Sequence, residues 1–75
     1  MKTDEIMDRI LRDAPSDLTI TDIERFKCDV ATRIKQGWEA VDIVRFFRST
    51  EEINPELSEA VALERMQKIT DKYNL

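Results

Sequence analysis

The side chains that could take part in catalysis are few and scattered along the chain. The 75 residues include no histidine and one cysteine, so carboxylates, lysines, Cys28 and Tyr73 are the remaining candidates for acid–base or nucleophilic chemistry. Such chemistry needs an activated group beside a base. The carboxylates instead stand at salt-bridging helical spacings from basic residues, as Glu64 does from Lys68. This pattern is typical of a solvated surface, and the sequence predicts that the protein is not an enzyme.

Motifs for cofactors and metals are also missing from the sequence. A chain whose one glycine is Gly37 has no glycine-rich phosphate loop. One cysteine and no histidine leave none of the usual zinc or iron ligand sets. No oxygen-rich calcium loop is present. We therefore predict no cofactor and no bound metal, and we interpret Cys28 as a small apolar residue in a reducing compartment.

Basic residues in the middle of the chain raise the alternative of nucleic-acid binding. Between Arg25 and Arg48, six basic residues oppose three acidic ones, a local charge of +3 in a chain of net charge −4. A helix-turn-helix would use Val41 to Arg48 as its first helix and Pro55 to Met66 as its recognition helix. The second segment begins Pro-Glu-Leu-Ser-Glu, which is unfavourable beside phosphates. The alternative that remains is a DNA-binding regulator whose phosphate contacts are Arg33, Lys35, Arg45 and Arg48.

Acidic residues concentrate directly after this basic region. They are Glu51, Glu52, Glu56, Glu59 and Glu64. An acidic surface can dock on a basic partner. Carboxylates near the start of a helix also compensate the helix dipole and keep a protein soluble, which is the simpler explanation of this run.

Four amphipathic segments predict four helices. Their expected bounds are about residues 3–14, 20–36, 38–49 and 55–73. Pro15 ends the first helix, because the residue before a proline is displaced from the helical region. Thr19 and Asp22 stand at the capping-box positions of the second helix. Gly37 ends that helix where a left-handed C-cap residue is needed.

The most apolar segment, GWEAVDIVRFF, forms the third helix and is expected at the centre of the fold. Charged residues, including Asp42, descend the side opposite its apolar face and are expected in solvent. Trp38 and Phe46 lie beside these charges, outside the apolar face. Both are therefore candidates for a protein-binding surface. The simpler explanation packs Trp38 on Ile34 at the C-cap and covers Phe46 with the first or last helix.

The last helix is expected to begin at Asn54 and Pro55 and to change its apolar face midway. Its first apolar group and its second point roughly 120–180° apart. The first group consists of Leu57, Ala60 and Val61, and the second group consists of Ala62, Met66, Ile69 and Tyr73. The first helix, a kink or another chain could cover the second group. Because the core is small and Met and Tyr suit interfaces, the sequence raises a homodimer through Met66, Ile69 and Tyr73.

These features together predict an all-α bundle of four helices in a single domain over residues 1–75. The chain has no apolar run of membrane-spanning length and opens with acidic residues, so we expect a cytoplasmic protein without membrane contact. Its size, acidity and lack of catalytic groups resemble the small accessory proteins of bacteria and phages, in composition alone. The predicted function is binding to another protein, as an accessory subunit, inhibitor or regulator.

Overall fold

Four helices make up the fold, which a computed structural model describes for residues 3–73. They are α1 (Thr3–Ile10), α2 (Ile20–Lys35), α3 (Ala40–Arg48) and α4 (Glu59–Tyr73). No strand occurs in this range, and the prediction of a four-helix, all-α fold is confirmed. None of the helices within residues 3–73 is long and apolar enough to cross a membrane.

Helix α2 begins and ends on the signals that its sequence carries. The Thr19 side chain accepts a hydrogen bond from the Asp22 N–H at 3.1 Å, and Asp22 accepts in return from the Thr19 N–H. At the other end Gly37 has a φ of 88°. The Gly37 N–H bonds the Ile34 carbonyl at 3.0 Å, and the Trp38 N–H bonds the Arg33 carbonyl at 3.1 Å. These two bonds form a Schellman motif, which turns the chain from α2 into α3.

Helices α1 and α3 are shorter than predicted, for local reasons. Helix α1 ends at Ile10 rather than near Ala14, because the chain tightens into a turn before Pro15 in which the Ala14 N–H bonds the Leu11 carbonyl at 3.2 Å. Helix α3 begins at Ala40 rather than Trp38, since Trp38 belongs to the Schellman motif. Glu39 is then the extended N-cap residue.

The predicted start of α4 at Pro55 is wrong by four residues. The Asn54 carbonyl accepts from the Leu57 N–H at 3.2 Å, which closes a turn instead of a helix. The first helical bond joins the Ala62 N–H to the Ser58 carbonyl at 2.9 Å. Leu57 therefore lies in the connection, outside the helix, and Ala60 and Val61, the other members of the first apolar group, are exposed.

The core lies where α1, α2 and α3 meet. Phe26 of α2 and Phe47 of α3 contact edge to face at its centre, with ring centroids 5.7 Å apart. The other residues of this cluster are Ile6, Met7, Ile10, Val30, Ile43 and Ile53. Helix α4 packs on α3 and contacts neither α1 nor α2. The position of α4 therefore depends on contacts with one helix and its flanking segments.

Two apolar residues on the amphipathic helices face solvent. Ile20 is 79% exposed and Val41 is 54% exposed. Ile20 is the first residue of α2. Val41 lies in the first turn of α3. An apolar stripe identifies the buried side of a helix, but how far burial extends along it depends on its neighbours.

Replacing Phe47 by alanine is expected to destabilise the fold by about 3–5 kcal/mol, because the ring is 4% exposed and its loss leaves a cavity beside Phe26. Urea denaturation followed by helical circular dichroism measures the loss. Ile20→Ala is the control, and the exposure of Ile20 predicts a change within about 0.5 kcal/mol. Equal effects of the two substitutions would contradict the position of the core.

Candidate functional site

Three of the predicted contact residues meet where the segment between α2 and α3, and α3 itself, face the end of α4. The Trp38 ring stacks on Tyr73 with centroids 4.7 Å apart, and contacts Phe46 edge to face at 5.5 Å. The Arg33 guanidinium lies over Trp38 at 5.0 Å and over Phe46 at 6.0 Å. We call Arg33, Trp38, Phe46 and Tyr73 the aromatic cluster.

The members of the aromatic cluster contact one another within the chain. Trp38 and Phe46 are half-buried and pack against the core cluster. The aromatic and cation–π contacts of Phe46 are with Trp38, Phe47 and Arg33. The rings close the junction between α3 and the end of α4, because Tyr73 brings the last turn of α4 onto Trp38.

Beside the aromatic cluster lies a buried carboxylate, that of Asp42. The residue is 7% exposed. Its Oδ2 accepts hydrogen bonds from the Lys72 ammonium at 2.8 Å and from the Tyr73 hydroxyl. The Tyr73 oxygen accepts in turn from the Glu39 N–H at 3.0 Å. We call this set the Asp42 tie. Asp42 was predicted on the solvated side of its helix, and the structure corrects this, because α4 covers that side.

The hydrogen bonds of the Asp42 tie change the protonation of its charged groups. The bond from Lys72, and after it the bond from Tyr73, lowers the pKa of Asp42, while burial acts in the opposite direction. The same bond to Asp42 raises the pKa of Lys72. Both shifts move the pKa values further from pH 7, whereas a general acid or base works best when its pKa lies near the operating pH. The Asp42 tie therefore has the chemistry of a structural link between α3 and α4.

One side of α4 borders a groove, which lies between its first turns and the connection from α3. The volume of this groove is about 480 Å³. Leu57, Ala62, Leu63 and Met66 supply its apolar lining, and Leu63 is 58% exposed. Glutamates stand around that lining: Glu51, Glu52 and Glu59. We call it the acidic groove.

A second groove, of about 340 Å³, lies between α3 and the other side of α4. Its apolar lining consists of Val41 and Val44, and its charged residues are Arg45, Arg48 and Arg65. We call it the basic groove. Ser49 and Asn54 line both grooves. Leu63 in one groove and Arg65 in the other are about 160° apart around the helix, so α4 separates two concave surfaces of opposite charge.

The three residues predicted to form a homodimer contact, Met66, Ile69 and Tyr73, lie in different surroundings. Ile69 is 5% exposed, and Tyr73 belongs to the aromatic cluster. The second half of α4 is thus covered within the chain, by α3 and its N-terminal flank, which the sequence analysis had not considered. Met66 is half-buried and lines the acidic groove.

The four predicted phosphate-binding residues do not form one surface patch. Arg45 and Arg48 share the basic groove, where Arg65, which the sequence analysis missed, joins them. Arg33 belongs to the aromatic cluster, and Lys35 is exposed at the end of α2. The connection from α3 to α4 spans residues 49–58. A helix-turn-helix has a turn of about three or four residues there, so the structure lacks that motif at the predicted place.

The lowered pKa of Asp42 predicts a loss of stability in acid. A carboxyl whose pKa is lower in the folded chain contributes stability that is present above its unfolded pKa, ordinarily 3.8, and is lost as the pH falls through the folded value. We expect the free energy of unfolding of the wild type to fall more steeply below about pH 4 than that of Asp42→Asn. Urea denaturation at a series of pH values measures both curves. Asp17→Asn, in an exposed turn, is the control and should follow the wild type. Parallel curves for wild type and Asp42→Asn would contradict the role of the Asp42 carboxylate.

Comparison with known proteins supplies no relative for this chain. No known protein family matches it, and neither does any curated protein or solved structure. The surfaces open to a partner are the two grooves beside α4, one of which contains the exposed Leu63.

Proposed function

We propose that this chain is a non-enzymatic binding protein whose contact surface for another protein is the acidic groove. The observation that carries the proposal is Leu63, a leucine 58% exposed within a groove that Leu57 and Met66 also line. An apolar lining inside a ring of charged residues is the composition of a protein–protein contact. Methionine adds a side chain that adapts to different partners.

The attachment of α4 supports this surface. Ala62, Met66, Ile69 and Tyr73 form one stripe along α4. Ile69 and Tyr73, at its C-terminal end, lie against α3 and its flank, whereas Ala62 and Met66 border the acidic groove. In a closed four-helix bundle a helix packs between two neighbours. Helix α4 has α3 alone, so a partner segment has room to occupy the second position.

Charge disfavours a homodimer centred on either groove. In an isologous dimer whose two-fold axis passes through a groove, that groove faces its own copy. In a dimer centred on the acidic groove, the three glutamates of one copy would face the three glutamates of the other. In a dimer centred on the basic groove, the three arginines of one copy would face those of the other. Like charges placed opposite one another in a contact are unfavourable. The proposed role is that of an accessory subunit, inhibitor or regulator. The free thiol of Cys28 suits the cytoplasm, where thiols stay reduced.

The proposal predicts that Leu63→Glu abolishes capture of a partner while the fold persists. The substitution adds a charge at the centre of the apolar lining, and the exposure of Leu63 leaves the core untouched. Tagged wild type and variants would be used to capture partners from the source cell, with circular dichroism as the check on folding. Ile20→Glu is the matched control, since it places the same charge at an exposed apolar residue outside both grooves.

We expect one protein captured by wild type and by Ile20→Glu, and depleted at least tenfold with Leu63→Glu, as for a contact residue at the centre of an interface. Equal capture by all three chains would place the contact elsewhere. Capture of no protein by the wild type would contradict the proposal as a whole.

A further inference from the structure

The basic groove concentrates positive charge in a protein that is acidic overall. The chain carries 16 acidic and 12 basic side chains. Among the described residues that line this groove, however, three are arginines and none is acidic. The arginines come from two helices, Arg45 and Arg48 from α3 and Arg65 from α4. Two helices therefore bring three positive charges to the lining of one groove.

Two of these arginines form no close ion pair in the part of the chain that the structure describes, although the charge of Arg45 helps to lower the pKa of Asp42, one turn before it on α3. Arg48 donates to the Arg9 carbonyl at 3.2 Å and to Asp13 at 3.3 Å. Arg45 and Arg65 form no ion pair within residues 3–73. One turn away from Arg65 along α4 lie Val61, Ala62, Lys68 and Ile69, none of them acidic. The guanidinium groups of Arg45 and Arg65 therefore keep their donors available to a ligand.

We propose that the basic groove binds an acidic amphipathic segment of a partner protein, whose carboxylates pair with Arg45 and Arg65 and whose aliphatic side chain packs on Val41. A guanidinium forms two parallel hydrogen bonds to one carboxylate, which gives both attraction and geometry. Val41 is 54% exposed at the groove and offers the apolar contact. A segment that alternates carboxylates with aliphatic residues matches both features.

The surroundings favour a protein segment over a nucleic acid. Duplex DNA carries a charge about every 1.7 Å along its axis and would extend well beyond a groove of this size. On the other side of α4 it would approach Glu51, Glu52 and Glu59, in a chain of net charge −4. A short acidic segment places its few charges beside the arginines and ends before it meets these glutamates.

This site is separate from the acidic groove, and the two can be tested apart. Arg65 and Leu63 lie on nearly opposite sides of α4, and the lining residues that the two grooves share are uncharged, Ser49 and Asn54. Leu63→Glu is therefore expected to leave binding at the basic groove unchanged. Failure of the acidic groove to bind a partner would not bear on the basic groove.

The test uses three probes on the full chain: a synthetic amphipathic leucine–glutamate peptide, its leucine–lysine counterpart and a random-sequence DNA duplex. Two-dimensional NMR of the methyl groups follows each titration. The leucine–glutamate peptide is expected to shift the signals of Val41 and Val44. Arg45→Gln/Arg65→Gln should weaken its binding about tenfold or more, as loss of paired charges at a contact does. Arg12→Gln/Lys35→Gln removes the same charge from exposed positions outside both grooves, and should change the affinity by less than about twofold.

Four outcomes would overturn the proposal. If both double variants weakened binding of the leucine–glutamate peptide equally, the loss of affinity would come from net charge and not from the basic groove. The same methyl shifts with the leucine–lysine peptide would remove the role of the arginines. Tighter binding of the duplex, with the same dependence on Arg45 and Arg65, would make the groove a phosphate site. Absence of any shift at Val41 and Val44 with the leucine–glutamate peptide would show that the groove takes no such ligand.

Discussion

The position of α4 depends on a carboxylate that has been removed from water. Burying the charge of Asp42 is unfavourable unless hydrogen bonds and an opposite charge compensate for it. Lys72 and Tyr73 supply both, and they are consecutive residues in the last turn of α4. The stack of Trp38 on Tyr73 closes the same junction. The end of α4 is thereby fixed on the start of α3, while its first turns extend past the C-terminal end of α3 over residues 49–58.

The two grooves follow from this attachment at one end. A helix fixed at its C-terminal turn and packed on a single neighbour leaves room along both sides of its N-terminal half. The residues that happen to face those sides differ in charge, with glutamates from the connection and α4 on one and arginines from α3 and α4 on the other. A partner that contacts α4 therefore meets apolar side chains on both sides of the helix, with glutamates on one side and arginines on the other. Such a surface discriminates between partners that differ in charge.

Features encoded by neighbouring residues could be predicted from the sequence. The capping box of Thr19 and Asp22, the C-cap at Gly37 and the burial of Phe47 each follow from local spacing. The burial of Asp42 could not be predicted, because helical periodicity orders residues around their own axis and does not say which side a distant helix will cover. The same limit applies to Arg65, which shares a groove with Arg45 across 20 positions of sequence. The start of α4 was misplaced because Asn54 and Pro55 suit the start of a turn as well as they suit that of a helix.

The hydrogen bond between Asp42 and Tyr73 holds α4 on α3, and a double-mutant cycle measures its contribution to stability. Tyr73→Phe removes the hydroxyl and keeps the ring on Trp38, and Asp42→Ala removes the carboxylate that accepts the hydrogen bond. Urea denaturation of the wild type, the two single variants and the double variant gives the coupling free energy. The account predicts a coupling of about 1 kcal/mol or more, as for groups in direct contact. Effects that add to within about 0.3 kcal/mol would contradict it.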